Sequence, residues 1–179
     1  MAYLSPLLHD PSVASLVPSS KYIAERVVEA VSPERAGVVV ELGPGEGVIT
    51  HRLLRALPPS GRLLAVERNR DFMPALRQIS DPRLNAVEGD AGALGCHMAR
   101  AGLLRADAVV SGVPMSLLDL AGRRRILEAV RNALKADGRF VAYQVTPKLI
   151  PLLKERFRRV EVRFELRNFP PLFVFSCRR

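Results

Sequence analysis

Glu41, Gly43, Gly45 and Gly47 alternate along Val38-Val39-Val40-Glu41-Leu42-Gly43-Pro44-Gly45-Glu46-Gly47-Val48-Ile49-Thr50. Glycines so placed let a backbone turn tightly and approach a ligand with no side chain in between. Val48, Ile49, Leu53, Leu54 and Leu57 then recur at helical spacing. A helix starting at the loop aims its free N–H groups at whatever lies there, which suits a carboxylate or a phosphate. Two further acids fall at comparable places. Glu67 closes the run from Arg62, about 20 residues on, where a carboxylate can take both hydroxyls of a ribose. Gly89-Asp90-Ala91 follows the run Leu84 to Glu88. Ser111-Gly112-Val113-Pro114 ends another, and Tyr143-Gln144 ends the next. The carbonyls of the Ser111 to Pro114 turn, with the Ser111 hydroxyl, could accept the N–H hydrogens of an amine and aim its lone pair. No paired carboxylates, Ser-His-Asp order or reactive cysteine setting argues for another chemistry. His9, His51 and His97 are scattered with no Cys or carboxylate cluster nearby, so no metal is expected.

These residues need strands to end where they stand. The apolar run Val38 to Leu42 reads as a fully buried parallel strand. Strands are likewise expected at Arg62 to Glu67, Leu84 to Glu88, Asp107 to Ser111 and Arg139 to Val145. Helices are expected from a cap at Ser19 or Ser20 to Ser32-Pro33, after Gly47, over Asp71 to Ile79 and Gly95 to Leu104, over Asp119 to Ala136, and over Pro147 to Phe157. Val160 to Leu166 and Leu172 to Cys177, with Asn168 and Pro170-Pro171 between them, read as an antiparallel pair on the sheet edge. The alternation predicts an α/β fold: a Rossmann-like, doubly wound, mostly parallel seven-stranded sheet with an antiparallel edge strand. Ligands in such a sheet sit outside the carboxyl ends of the strands, where Gly43 to Gly47, Glu67, Asp90 and Ser111 to Pro114 all fall.

At 179 residues the chain reads as one domain over 1–179, with 1–32 an N-terminal helical lid or membrane-contact segment. Leu4, Leu7, Leu8, Val13, Leu16 and Val17, broken by Pro6 and Pro11, fit a lid or an element lying on a membrane. Apolar content is 48% and charged content 25%, and no run approaches the roughly 18 apolar residues of a bilayer span. Met1 to Asp10 lacks the features of a secretion signal, and Cys96 and Cys177 read as reduced thiols of a cytoplasmic protein. The net charge of +9, carried almost wholly by arginine, implies a phosphate-rich partner, either nucleic acid or an anionic membrane surface.

The loop differs from the G-x-G-x-x-G spacing of dinucleotide sites by the acid two residues before the first glycine. Together with Glu67 and Asp90 it resembles motif I and its companions in the class I S-adenosylmethionine-dependent methyltransferases. The resemblance narrows with Pro18-Ser19-Ser20-Lys21, Ser111-Gly112-Val113-Pro114 and Arg167-Asn168-Phe169-Pro170-Pro171, which look like segments of the bacterial phospholipid N-methyltransferases. Those enzymes methylate phosphatidylethanolamine from the cytoplasmic membrane surface. The likeness implies S-adenosylmethionine as cofactor, S-adenosylhomocysteine as product, and a phospholipid amine as acceptor. It implies cofactor contacts at Ser20, Glu41, Gly43, Gly45, Gly47, Glu67, Arg68, Gly89, Asp90, Ala91 and Ser111. From their place at the strand ends, catalytic contacts are expected at Ser111, Gly112, Pro114 and Tyr143. A monomer, peripheral on the inner face of the membrane, is the form expected. Glu46, Met115-Ser116 and Leu172-Phe173 depart from the family pattern.

The alternative is RNA methylation, because the Gly-Pro-Gly loop also occurs in the ribosomal RNA adenine dimethyltransferases and +9 suits RNA. Those carry an Asn-Leu-Pro-Tyr type turn whose aromatic stacks on the flipped base. Met115 follows Pro114 here, and with 6% aromatic residues and no Trp, stacking platforms are scarce.

Overall fold

The computed structural model describes residues 20–179, so the stretch Tyr3 to Val17, with Pro18 and Ser19, lies outside the described residues. Seven strands form one sheet: β1 (Val38–Leu42), β2 (Arg62–Glu67), β3 (Leu84–Glu88), β4 (Ala106–Ser111), β5 (Leu134–Gln144), β6 (Arg159–Glu165) and β7 (Leu172–Arg178). Their order is β3-β2-β1-β4-β5-β7-β6. The first five run parallel, whereas β7 runs antiparallel to both β5 and β6. The β6–β7 pair closes one edge as the double-proline connection suggested, with β7 inserted inward of β6.

Among the described residues six α-helices flank the sheet: α1 (Lys21–Val31), α2 (Val48–Ala56), α3 (Met73–Arg77), α4 (Leu94–Arg100), α5 (Leu120–Ala133) and α6 (Ile150–Arg156). The central strands are largely apolar because helices cover both faces. Val39, Leu63, Val110 and Val141 pack with Ile23, Val27, Leu53 and Leu54 of α1 and α2. Val40, Leu42, Leu64, Val109 and Phe140 pack with Leu94, Ile126, Leu127 and Leu153 of α4, α5 and α6. The alternation of side chains along β1 puts Glu41 on the α1–α2 face.

α1 starts at Ser20, whose hydroxyl accepts from the Ile23 N–H at 3.4 Å, and ends at Ser32 in a left-handed conformation (φ 52°). Residues 20–32, part of the expected lid segment, thus form a helix that buries one face, Ile23, Ala24, Val27 and Val31, in the core and leaves Lys21, Glu25 and Glu29 exposed. Several boundaries differ from expectation: α3 covers only Met73–Arg77 of the expected Asp71 to Ile79, α4 stops at Arg100 rather than Leu104, α6 starts at Ile150 rather than Pro147, and β5 starts at Leu134 rather than Arg139. The fifth helix ends at Ala133 rather than Ala136, because Leu134 pairs with Ala106 at the start of β5. The register shifts before Arg139 pairs with Ala108, so Lys135 to Gly138 bulge out of the strand. Leu134 is fully buried, and that burial outweighs the helical spacing of the residues around it.

Candidate active site

The strand order reverses between β1 and β4, so their carboxyl ends diverge into a crevice. Gly43 and Gly112 form its floor. The Gly43 N–H donates to the Val66 carbonyl and the Gly112 N–H to the Leu42 carbonyl, each at 2.9 Å. Gly43, Gly45 and Gly47 all take positive φ (69°, 56° and 86°). At Gly43 an added Cβ would lie 3.2 Å from the Val113 nitrogen, so glycine is required both for the turn and for the neighbouring strand end. At Gly112 the crowding is more severe: a Cβ would lie 2.2 Å from Tyr143 Oη and 2.8 Å from the Gly43 carbonyl oxygen. The phenol of Tyr143 therefore rests against Gly112, and three sequence-expected positions, Gly43, Gly112 and Tyr143, converge.

Glu41 is the electrostatic centre of this floor. Its side chain is sealed in (residue exposure 1%), and Oε2 accepts from the Thr50 hydroxyl at 2.6 Å. Oε1 is buried with no hydrogen-bond partner among the described residues. Burial pushes the carboxyl up to about 7 from 4.5; the Thr50 hydrogen bond opposes the shift and the charge of Glu67 adds to it. A buried carboxyl oxygen lacking a donor is costly unless a ligand supplies one.

Glu67 braces the loop. Its Oε2 accepts from the Gly45 N–H at 3.0 Å and its Oε1 from the Asn69 N–H at 2.8 Å. Each oxygen keeps a lone pair for a further donor. Arg68 follows at an exposed position. Asp90 caps a short turn, its Oδ1 accepting from the Gly92 N–H and from Arg125, both at 2.9 Å. The Gly89 N–H donates to the Glu67 carbonyl at 2.8 Å, which ties these two strand ends together. The His97 ring covers Gly89, where a Cβ would lie 2.3 Å from its Cε1, and Ala91 is buried beside it.

The turn after β4 offers fewer acceptors than its sequence suggests. The Val113 carbonyl already accepts from the Met115 N–H and from Gln144 Nε2, each at 2.8 Å, and the Pro114 carbonyl accepts from the Leu117 N–H at 3.0 Å. The Val113 carbonyl is thereby filled, whereas the Ser111 hydroxyl, the Gly112 carbonyl and the second lone pair of the Pro114 carbonyl remain as acceptors this turn can present. Ser111 is fully buried, and its Oγ takes only a long contact, 3.3 Å, from the Val113 N–H. Ser20, by contrast, sits at the α1 terminus, where its N–H donates to Asn168 Oδ1 at 3.3 Å.

Thr50, Asn69, His97 and Arg125 support the site without having been singled out for it in the sequence. Only Thr50 carried a signal, as a polar residue among Ile49, Leu53 and Leu54 on the buried face of α2. Among the described residues no group of His, Cys, Asp and Glu could hold a metal.

This fold and crevice are those of the class I methyltransferases. A precorrin-6y C5,15-methyltransferase from Geobacter metallireducens GS-15 shares the fold with TM-score 0.72 and 18% identity, over 91% of this chain and 90% of that one. So does the Burkholderia thailandensis 1,6-didemethyltoxoflavin-N1-methyltransferase, solved with S-adenosylhomocysteine, with TM-score 0.71 and 18% identity over 97% and 84%. An ornithine lipid N-methyltransferase of Singulisphaera acidiphila is 36% identical over 177 residues, 95% of this chain and 90% of that protein. The chain belongs to the same family as that enzyme. A ribosomal RNA small subunit methyltransferase A of Acidithiobacillus ferrooxidans is 40% identical over 70 residues, only 38% of this chain and 25% of that protein. No family model matches the chain. S-adenosylmethionine is the methyl donor, and the site fits it. The bare glycine cradle leaves room for a nucleoside, and the orphaned Glu41 oxygen awaits a donor such as an ammonium.

Proposed function

We propose that the protein transfers methyl groups from S-adenosylmethionine to the amine of an ethanolamine-type phospholipid at a membrane surface. The observation that carries this reading is the 36% identity, over 95% of the chain, to an ornithine lipid N-methyltransferase. An ornithine lipid and phosphatidylethanolamine both present an amine at the boundary between lipid and water, so one acceptor geometry can serve either.

In this reading Glu41, Gly43, Gly45, Gly47, Glu67, Asp90 and their neighbours Gly89 and Ala91 hold the cofactor, with Ser20 and Arg68 at its margin. When bound, the cofactor supplies an electrophilic methyl group. Ser111 Oγ and the Gly112 carbonyl accept the N–H hydrogens of the incoming amine and leave its lone pair directed into the crevice. Pro114 holds the turn rigid. Gln144 fixes its shape by donating to the Val113 carbonyl. Tyr143, packed on Gly112, walls the acceptor side against water.

The test is transfer of radiolabelled methyl groups to vesicles of phosphatidylethanolamine, to vesicles containing ornithine lipid, and to unmodified ribosomal RNA. Label in phosphatidylethanolamine is expected. Label in ornithine lipid alone would reassign the headgroup, and label in RNA but neither lipid would overturn the reading in favour of RNA methylation, for which the short matches to the ribosomal RNA enzymes speak.

A further inference from the structure

Hydrophobic side chains left in water are unevenly distributed over this molecule. Among the described residues eight large apolar side chains are exposed: Leu117, Leu120, Val145, Phe164, Leu166 and Phe169 lie at the carboxyl ends of the strands, Val162 lies midway along β6, and Leu104 precedes β4 at the opposite end. Leu117 and Leu120 follow the Ser111 to Pro114 turn, and Val145 follows β5. The β6–β7 turn is brought to the same end by register, because Gln144 pairs with Phe173, and Glu165 with Leu172. Leu166 and Phe169 at its tip are 71% and 83% exposed.

The turn is built to keep them out. Glu165, almost wholly buried, accepts from Arg26 Nη2 at 3.0 Å and from Arg167 Nε at 2.8 Å. Buried Asn168 accepts from the Ser20 N–H and donates to the Pro170 carbonyl at 2.7 Å. Polar groups thus face inward and apolar groups outward, the reverse of an ordinary surface turn. Cations flank the tip. The Arg167 guanidinium lies 4.5 Å from the Tyr22 ring centroid and Lys21 Nζ 5.1 Å from it, and Lys148 is exposed after β5. Apolar side chains ringed by Lys and Arg match the acyl boundary and anionic headgroups of a bilayer, and the whole chain carries +9.

We propose that the β6–β7 turn, with Leu166 and Phe169 as its apolar tip and Lys21 and Arg167 beside it, inserts into the surface of an anionic lipid bilayer and brings the mouth of the crevice to the lipid headgroups. This deepens the lipid reading of the site and rests on it. The surface points the same way as Ser111, Gly112 and Tyr143, so one orientation docks the protein and presents the acceptor turn to the membrane.

The chain contains no Trp, so a single introduced Trp reports its own surroundings. Phe169→Trp is mixed with vesicles of phosphatidylethanolamine and phosphatidylglycerol carrying brominated acyl chains, beside Leu104→Trp at the opposite end of the sheet. Quenching and a blue shift at position 169, with neither at 104, are expected. Leu166→Asp combined with Phe169→Asp should weaken vesicle binding at least about tenfold. It should lower methyl transfer to vesicle lipid similarly, while transfer to a short-chain, water-soluble amino lipid stays at the wild-type rate. Absence of quenching at 169, or wild-type vesicle binding by the double variant, would overturn the proposal. An indole at position 169 already shielded without vesicles would overturn it too, since residues 1–19 or a protein partner would then cover the tip. If the wild type methylates neither the vesicle lipid nor the soluble one, the lipid reading itself falls, a result distinct from any of these.

Discussion

Replacing Glu41 by Gln keeps an oxygen to accept from Thr50 and removes a carboxylate that the fold holds in a dry place. The carboxyl is raised from 4.5 to about 7, by burial first and by the Glu67 charge as well, against the Thr50 hydrogen bond. In the unfolded chain it ionises near 4.5; in the folded chain it stays protonated to about 7. Between those values the native state binds more protons than the unfolded state, so this group makes stability fall as pH rises. Its contribution is intact below 4.5 and lost by the time pH has passed about 7. Each tenfold change in proton affinity is worth about 1.36 kcal/mol, which makes the loss roughly 3 kcal/mol. Glu41→Gln mimics the neutral form, so it should match the wild type near pH 5 and exceed its stability by up to ~3 kcal/mol near pH 8. Urea unfolding followed by circular dichroism, without cofactor, across that range gives both curves. The same variant should bind S-adenosylmethionine at least about tenfold more weakly by calorimetry, because the charged acceptor is gone. Stability curves that run parallel from pH 5 to pH 8, within roughly 0.5 kcal/mol, would refute the assignment of a buried carboxyl starved of donors.

Gly112→Ala drives a methyl group to 2.2 Å from Tyr143 Oη, so methyl transfer should drop on the order of 100-fold with the fold retained. Adding Tyr143→Phe should recover part of it, the Gly43 carbonyl at 2.8 Å keeping recovery incomplete; kinetics of the two single variants and the double variant read the coupling. Glu165→Gln leaves Arg26 and Arg167 facing a neutral amide at the base of the β6–β7 turn and should cost about 2 kcal/mol in thermal unfolding. Its arginine partners hold the Glu165 carboxyl down at about 2 from 4.5, so that contribution is present above 4.5 and fades as pH falls through about 2. The variant and the wild type should therefore converge in stability as acid is added.

Local chemistry made much of this protein legible in one dimension. A run whose one polar residue is Glu41, ahead of alternating glycines, reads as a buried strand entering a tight turn, and Glu67 and Ser111 were readable because each closes another largely apolar run, with Asp90 just beyond a third strand. The order of the strands and the insertion of β7 between β5 and β6 came from pairings between distant segments, which no local pattern encodes. The same holds for the helix that stops at Ala133, where burial of Leu134 overrides its spacing. It holds within the site, where Gln144 takes up the Val113 carbonyl and Thr50 meets only one Glu41 oxygen. Spacing along the chain told which residues fall at the carboxyl ends of the strands. Which of their polar atoms are already satisfied, and which apolar side chains are left in water at its mouth, was decided by the packing of elements far apart in sequence.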